Sequence, residues 1–304
     1  MASPCLIVKL IALFSLLDVC IASRILLTTT TPVGDTQGQQ QLLRYHNGTL
    51  LRGNIAVNLI WYGKFMPSQR VIVSDFITSL SVSSSPNLQP SVDMWWSTIE
   101  KFYRLPGTEN PNSPSLHLGN QILDEKYSLG KSLSEKQIVQ LAAKGDVVDA
   151  VNVVLTSSDV AVDGFCVNRC GTHGSKRALV KGKIKQSRLS ISGLPLFGPQ
   201  SPPLVAPNND VGLDGVIMSL SGLLAGTATN PFENGFYQGP KEAPLEAATA
   251  CTGVYGSGAY PGYAGKLLVD QTTGASYNAH GANGRKYLLP AIYDPSTSVC
   301  STLV

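Results

Sequence analysis

The chain has 304 residues, of which 43% are apolar and 14% charged, with a net charge of +3. Charge this sparse and dispersed does not suit a nucleic-acid surface, and so apolar a composition excludes disorder over most of the length. The length allows one large domain or two small ones.

The chain opens on a processing signal. Lys9 precedes the apolar run 10–17, and Cys20-Ile21-Ala22 places small residues where a signal peptidase reads. Cleavage is expected near Ala22–Ser23, giving a signal peptide over 1–23, a flexible Thr- and Gln-rich arm over 24–53, and one domain over 54–304. No later run is apolar without interruption for about 18 residues, so no membrane span is expected. Asn47-Gly48-Thr49 is a glycosylation sequon.

Residues 54–61 alternate as a strand, with Ile55, Val57, Leu59 and Trp61 on one face. A helix over 70–81 gathers Val73, Phe76, Ile77 and Leu80. Ser91 caps a second helix over 92–104, whose apolar face holds Val92, Trp95, Trp96, Ile99, Phe102 and Tyr103. A strand is predicted over 116–123. Ser132-Leu-Ser-Glu135 reads as a capping box for a third helix, which Gly145 stops. The run 147–155 reads as a strand buried on both faces. This order is that of an α/β domain with a mixed sheet flanked by helices. A helix over 211–228, started by Asp210 or Asp214, contains Gly215, Gly222 and Gly226. Each interior glycine would cost about 1 kcal/mol relative to alanine if exposed, so a closely packed neighbour is expected. Segments 266–270, 275–280 and 286–289 form a loop-rich C-terminal β-meander, turned by Thr272-Thr-Gly274 and Asn283-Gly284.

After signal cleavage four cysteines remain: Cys166, Cys170, Cys251 and Cys300. They allow three pairings. The Cys166-x3-Cys170 spacing also suits zinc, but no second close ligand pair accompanies it, and disulfides are expected in a secreted chain. Cys251–Cys300 is the expected long-range bridge and Cys166–Cys170 the local one.

No nucleophile elbow, dinucleotide loop or P-loop is present. His173 and His280 are candidates for a metal or acid–base pair, and Asp210 with Asp214 for a calcium site. Each has a plainer role, in loop hydrogen bonding and helix capping respectively. Glu233, Glu242 and Glu246 would supply carboxylates for glycoside cleavage. Trp95, Tyr260 and Tyr263 are candidate glycan contacts, with core packing the plainer role for Trp95.

The segment Gly222-Leu-Leu-Ala-Gly-Thr-Ala-Thr-Asn-Pro231 resembles the active-site helix of some zinc-dependent peptidases. Gly222 stands in place of the histidine ligand and Leu223 in place of the glutamate base. The resemblance implies a degenerate zincin-like scaffold without the chemistry, because zinc needs imidazole and water activation needs a base.

A wider resemblance rests on Gly164-Phe-Cys166, Cys170-Gly-Thr-His-Gly-Ser175, Pro203-Leu-Val-Ala-Pro207, the blocks 229–240 and 258–265, and the closing block 274–291. Together these resemble the plant EXORDIUM, or phosphate-induced protein 1, family. The resemblance implies a secreted apoplastic protein that regulates cell expansion in a brassinosteroid-linked way, more by binding than by catalysis. No catalytic residue and no cofactor are expected. The implied partner is an apoplastic protein or a wall polysaccharide. A hydrolase of wall polymers or peptides and a carbohydrate-binding wall component are the alternatives. Segment 176–198 departs from the family text, which has a Trp-containing strand and a Cys-Pro-Gly-Gln-Cys-Ala-Trp-Pro-Phe-His block there. Here the text is basic and lacks cysteine, and it reads as an atypical loop.

Overall fold

A computed structural model describes residues 43–304 except 82–87, 109–111, 146–148, 166–170, 176–186, 193–203 and 242. The expected signal peptide over 1–23, Cys166, Cys170 and Glu242 therefore lie outside the described residues.

The chain enters through β1 (Arg44–Tyr45) and continues into β2 (Asn54–Tyr62), α1 (Pro67–Ser79), α2 (Val92–Tyr103) and β3 (Ser115–Asp124). β4 (Ser132–Leu133), α3 (Glu135–Ala142), β5 (Ala150–Thr156), β6 (Ala161–Val162), β7 (Gly171–Ser175) and β8 (Ser187–Ser192) follow. The long helix α4 (Val211–Thr229) and β9 (Phe236–Tyr237) precede a tail of short strand pairs. Five strands form the main sheet in the order β3-β2-β5-β8-β7. The first four are parallel, and β7 runs antiparallel to β8 at the edge. This is the expected α/β architecture with a mixed sheet.

The alternation in β2 divides the core between the two faces of the sheet. Ile55, Val57, Leu59 and Trp61 join Val151, Val153 and Leu155 of β5 under α1, α2 and α4. Ile60 and Tyr62 point the other way, against Ile138, Leu141 and Ala142 of α3. Two buried asparagines interrupt this second face. Asn58 Nδ2 donates to Asn152 Oδ1 at 2.8 Å, and Asn58 Oδ1 accepts from the backbone of Asn120 at 2.7 Å. The register of β2 and β3 shifts between Val57 and Leu59. Gly119 fits there because a Cβ would lie 2.3 Å from Asn58 Oδ1.

Several local details differ from expectation. α1 begins at Pro67, whose missing N–H costs nothing in a first turn, and Gln69 Oε1 accepts from Met66 N at 3.0 Å. The capping box of α3 lies two residues later than predicted. Ser134 is the cap, paired with Gln137, because Ser132 and Leu133 are used as a strand against β6. Residues 43–53, expected in the flexible arm, belong to the packed domain. Leu43, Leu50 and Leu51 are buried, and β1 pairs with β9. Residues 187–192 of the segment expected to be an atypical loop form β8, inside the sheet between β5 and β7. The C-terminal meander is split into separate two-stranded ladders, Leu268–Val269 with Ser276–Tyr277 and Ala279–His280 with Lys286–Tyr287. Asn283 and Gly284 both take positive φ in the second turn, as the Asn-Gly text predicts.

Helix α4 is long and apolar enough to cross a bilayer by length and composition, yet 72% of that stretch is buried in the protein. Asp210 Oδ1 caps it through Leu213 N at 2.9 Å. Behind it, Cys251 and Cys300 form a disulfide across 49 residues, as expected.

Candidate functional site

The glycine face of α4 carries a buried acid–base pair. His173 sits in the middle of β7, opposite Leu189 of β8, and β7 packs along α4. Its Nε2 lies 2.7 Å from Glu246 Oε2, and the two side chains are only 10% and 9% exposed. The other Glu246 oxygen accepts from Asn230 Nδ2 at 2.7 Å, and Asn230 Oδ1 accepts from Gly235 N at 2.8 Å. Glu246 is thus held on both oxygens.

The sequence folds this way because Gly226 leaves room. A Cβ on Gly226 would lie 2.4 Å from Glu246 Oε2 and 3.1 Å from His173 Nε2. The glycine therefore admits two polar side chains to the helix surface. The Thr-Asn-Pro text after it closes the helix. Thr229 Oγ1 donates to Ala225 O at 2.9 Å, and Asn230 bridges from the helix end to Glu246 and to Gly235. Gly222 differs, since a Cβ there would meet only Ala248 Cβ at an ordinary 3.5 Å.

The electrostatics of the pair raise the proton affinity of His173. Burial alone pulls the His173 imidazole down. The charge and hydrogen bond of Glu246, with Glu233 further away, outweigh this and leave it above its ordinary value. An imidazolium beside a carboxylate has the elements of proton transfer. Here, however, the reactive nitrogen and both carboxylate oxygens already have partners inside the protein.

The other sequence candidates are placed apart from this pair. His280 stacks edge-on to Tyr277 at 5.1 Å, and burial first, then Lys286, lowers its pKa. Among the described residues it shares no hydrogen-bond partner with His173, so the fold does not bring the two candidates together. Asp210 and Asp214 do not present a calcium cage. Asp210 caps α4 and accepts from Gln69 Nε2 at 2.8 Å. Asp214 accepts from Asn208 N at 2.9 Å and from Asn208 Nδ2 at 2.6 Å. Burial raises Asp214 to about 6, against the lowering effect of the Asn208 bonds. Among the described residues no three His, Cys, Asp or Glu side chains gather in a group suited to a metal ion.

Trp95 is a core residue, 2% exposed, and its Nε1 donates to Pro290 O at 2.7 Å, so it cannot stack on a glycan. Tyr260 is 65% exposed and packs against Tyr263 at a ring-centroid distance of 5.1 Å. Glu233 is exposed on the loop after α4. Asn47 is exposed with φ 59°, on the turn after β1. Sequence reasoning noted His173 and Glu246 separately and missed their pairing across 73 residues. The signal that could have joined them was an interior helical glycine, which marks a close neighbour without naming it.

Comparison with known proteins agrees with this chain's own motifs. It is 62% identical to the protein PHOSPHATE-INDUCED 1 of Nicotiana tabacum, with both chains covered in full. That comparison spans 320 positions against 304 residues, so at least sixteen positions hold no residue of this chain. It is 57% identical to the protein EXORDIUM of Arabidopsis thaliana over 98% of this chain and 99% of that one. It is also 57% identical to the Arabidopsis thaliana protein EXORDIUM-like 1, over 86% of this chain and 89% of that one. No solved structure matches. The family model described as the phosphate-induced protein 1 conserved region matches residues 43–303, and the chain belongs to that family.

Proposed function

We propose that this is a secreted apoplastic protein of the EXORDIUM type, which regulates cell expansion in a brassinosteroid-linked way by binding a partner rather than by catalysis. The observation that carries the binding reading is the closure of the His173–Glu246 pair. General acid–base catalysis requires a group within reach of substrate. This pair is nearly buried, and Asn230 holds the carboxylate's remaining oxygen. Gly222 and Leu223 also lack the imidazole and carboxylate that a zinc peptidase helix needs.

Secretion is supported by the apolar run 10–17 before Cys20-Ile21-Ala22, and by a disulfide suited to an oxidising compartment. The test is recovery from extracellular fluid followed by N-terminal sequencing. The chain found there should begin near Arg24. A full-length chain confined to the cytosol would overturn the proposal.

A further inference from the structure

The chain after Cys251 folds into a hairpin that holds two tyrosines at the surface. Tyr260 and Tyr263 flank Pro261-Gly262 and exchange both backbone hydrogen bonds, Tyr260 N to Tyr263 O at 3.0 Å and Tyr263 N to Tyr260 O at 2.8 Å. Gly262 takes a φ of 91°, which with proline before it is the chemistry of a type II turn. Residues paired in this way project to the same side of a hairpin. The two rings meet at a centroid distance of 5.1 Å and a tilt of 40°. Tyr260 is 65% exposed and Tyr263 is half-buried beside it.

The base of the hairpin is fixed. Tyr255 N and Gly256 N both donate to Ala264 O, at 3.0 and 2.9 Å, and Lys266 N donates to Ser257 O at 2.9 Å. Ser257 N in turn donates to the last residue, Val304, at its backbone oxygen, at 2.8 Å. The two arms touch through glycine, since a Cβ on Gly265 would lie 2.0 Å from Gly256 O. Where the hairpin leaves the core, Cys251 is bridged to Cys300. The tyrosine backbone is therefore in place before any ligand arrives, which reduces the entropy lost on binding.

The composition of the hairpin narrows its occupant. Residues 247–265 include no charged residue and no histidine, and Lys266, the first charge after them, lies at the base. Nothing in the turn itself would pair with a carboxylate, a phosphate or an ammonium group. A bilayer surface calls for a broad apolar face edged by basic residues, whereas Ser257, Gly258 and Ala259 precede Tyr260 here. A proline-rich peptide calls for an aromatic-lined groove, whereas one ring stands out here. A single flat ring with a hydroxyl at its edge suits a neutral sugar. The C–H face of a pyranose whose hydroxyls are all equatorial lies flat on such a ring, and the phenol can donate to or accept from the hydroxyls at the sugar's rim.

We propose that the Tyr260–Tyr263 hairpin docks a neutral β-linked glucan chain, with one glucose ring stacked on Tyr260 and Tyr263 packed beside it. The proposal rests on the binding reading above and names its partner.

The test is affinity electrophoresis of the full mature protein in gels cast with hydroxyethylcellulose, a soluble neutral β-linked glucan, and in parallel gels cast with polygalacturonate. The neutral polymer should retard the protein, and added salt should leave the retardation unchanged, because no ion pair is involved. Tyr260→Ala should weaken binding by about tenfold, while Tyr260→Phe, which keeps the ring, should stay within a few-fold of the parent. Melting temperatures of both variants should match the parent's, because Tyr260 is exposed. Tyr260→Trp enlarges the ring and should bind at least as well as the parent, which keeps a readout should the alanine variant fold poorly. The proposal is overturned if hydroxyethylcellulose does not retard the protein, if Tyr260→Ala is retarded like the parent, or if polygalacturonate retards it equally. It is overturned equally if a proline-rich peptide, and not cellohexaose, releases the protein from the gel. None of these results bears on whether the His173–Glu246 pair does chemistry, so this proposal and the binding reading can fail separately.

Discussion

Glu246 Oε2 lies 2.7 Å from His173 Nε2, and the site a Cβ of Gly226 would occupy is 2.4 Å from the same oxygen. One missing methyl group on α4 thus decides whether the edge strand and the loop after β9 can meet on the helix.

The two nearby glycines should answer oppositely to alanine. Gly226→Ala pushes on a carboxylate that His173 and Asn230 hold in place, so overpacking of roughly 1–3 kcal/mol should exceed the helix-propensity gain. Gly222→Ala meets only ordinary contact and should be neutral or stabilising by up to about 1 kcal/mol. Urea unfolding of both variants checks this. Equal effects would remove the packing account of Gly226.

The sequence made the layers of the fold legible but not this contact. β2, α2 and α4 were visible because their periodicities are local and their caps, Ser91 and Asp210, lie next to what they cap. The His173–Glu246 pair was not legible, because nothing local to either residue records a partner 73 positions away. β8 escaped notice because the basic residues of segment 176–198 point to a loop, although Leu189 and Ile191 alternate with Arg188, Ser190 and Ser192 as strand residues do. The packed state of residues 43–53 was hidden similarly, since Leu43, Leu50 and Leu51 find their apolar contacts far along the chain.

Stability should decline as pH rises across two windows. Asp214 and His173 both hold their protons more tightly folded than unfolded. Each therefore contributes stability that is present below its unfolded pKa and lost as pH rises through its folded value. For Asp214 the loss runs from about 4 in the unfolded chain to about 6 in the native one. For His173 it begins near 6.5 and continues to its raised value. Asp124 and Asp294 act in the opposite sense. Burial would raise both, but Lys144 and Ser128 at Asp124, and Lys101 and Ser296 at Asp294, hold them low, so their contribution disappears only in stronger acid. Melting curves of Asp214→Asn should lose the slope between pH 4 and 6, and those of His173→Gln the slope above about 6.5. Curves parallel to the parent's would contradict the assignments.

Opening the Cys251–Cys300 bridge should destabilise the tail. Closing a loop of 49 residues removes unfolded-state entropy corresponding to roughly 4 kcal/mol. Cys300→Ser should lower the unfolding midpoint in urea accordingly, and reductant should then have little further effect through this bridge. A midpoint equal to that of the oxidised parent would show that the bridge does not form.

Asn47 should carry a glycan in the secreted protein. It is exposed, and Thr49 completes its sequon. Enzymatic deglycosylation should shift the parent's mobility on a gel and leave Asn47→Gln unchanged. A parent protein with no shift would refute modification at this site.

The most direct measurement of the central claim is growth rescue by a chain whose buried pair cannot transfer protons. His173→Gln with Glu246→Gln replaces both titrating groups by amides that can still hydrogen-bond to one another. The double variant would be expressed in a plant lacking its own family members, and its folding and extracellular level verified against the parent. If the protein acts by binding, rescue should equal that of the parent. Loss of rescue by a variant that folds and is secreted like the parent would contradict the account and make the His173–Glu246 pair catalytic.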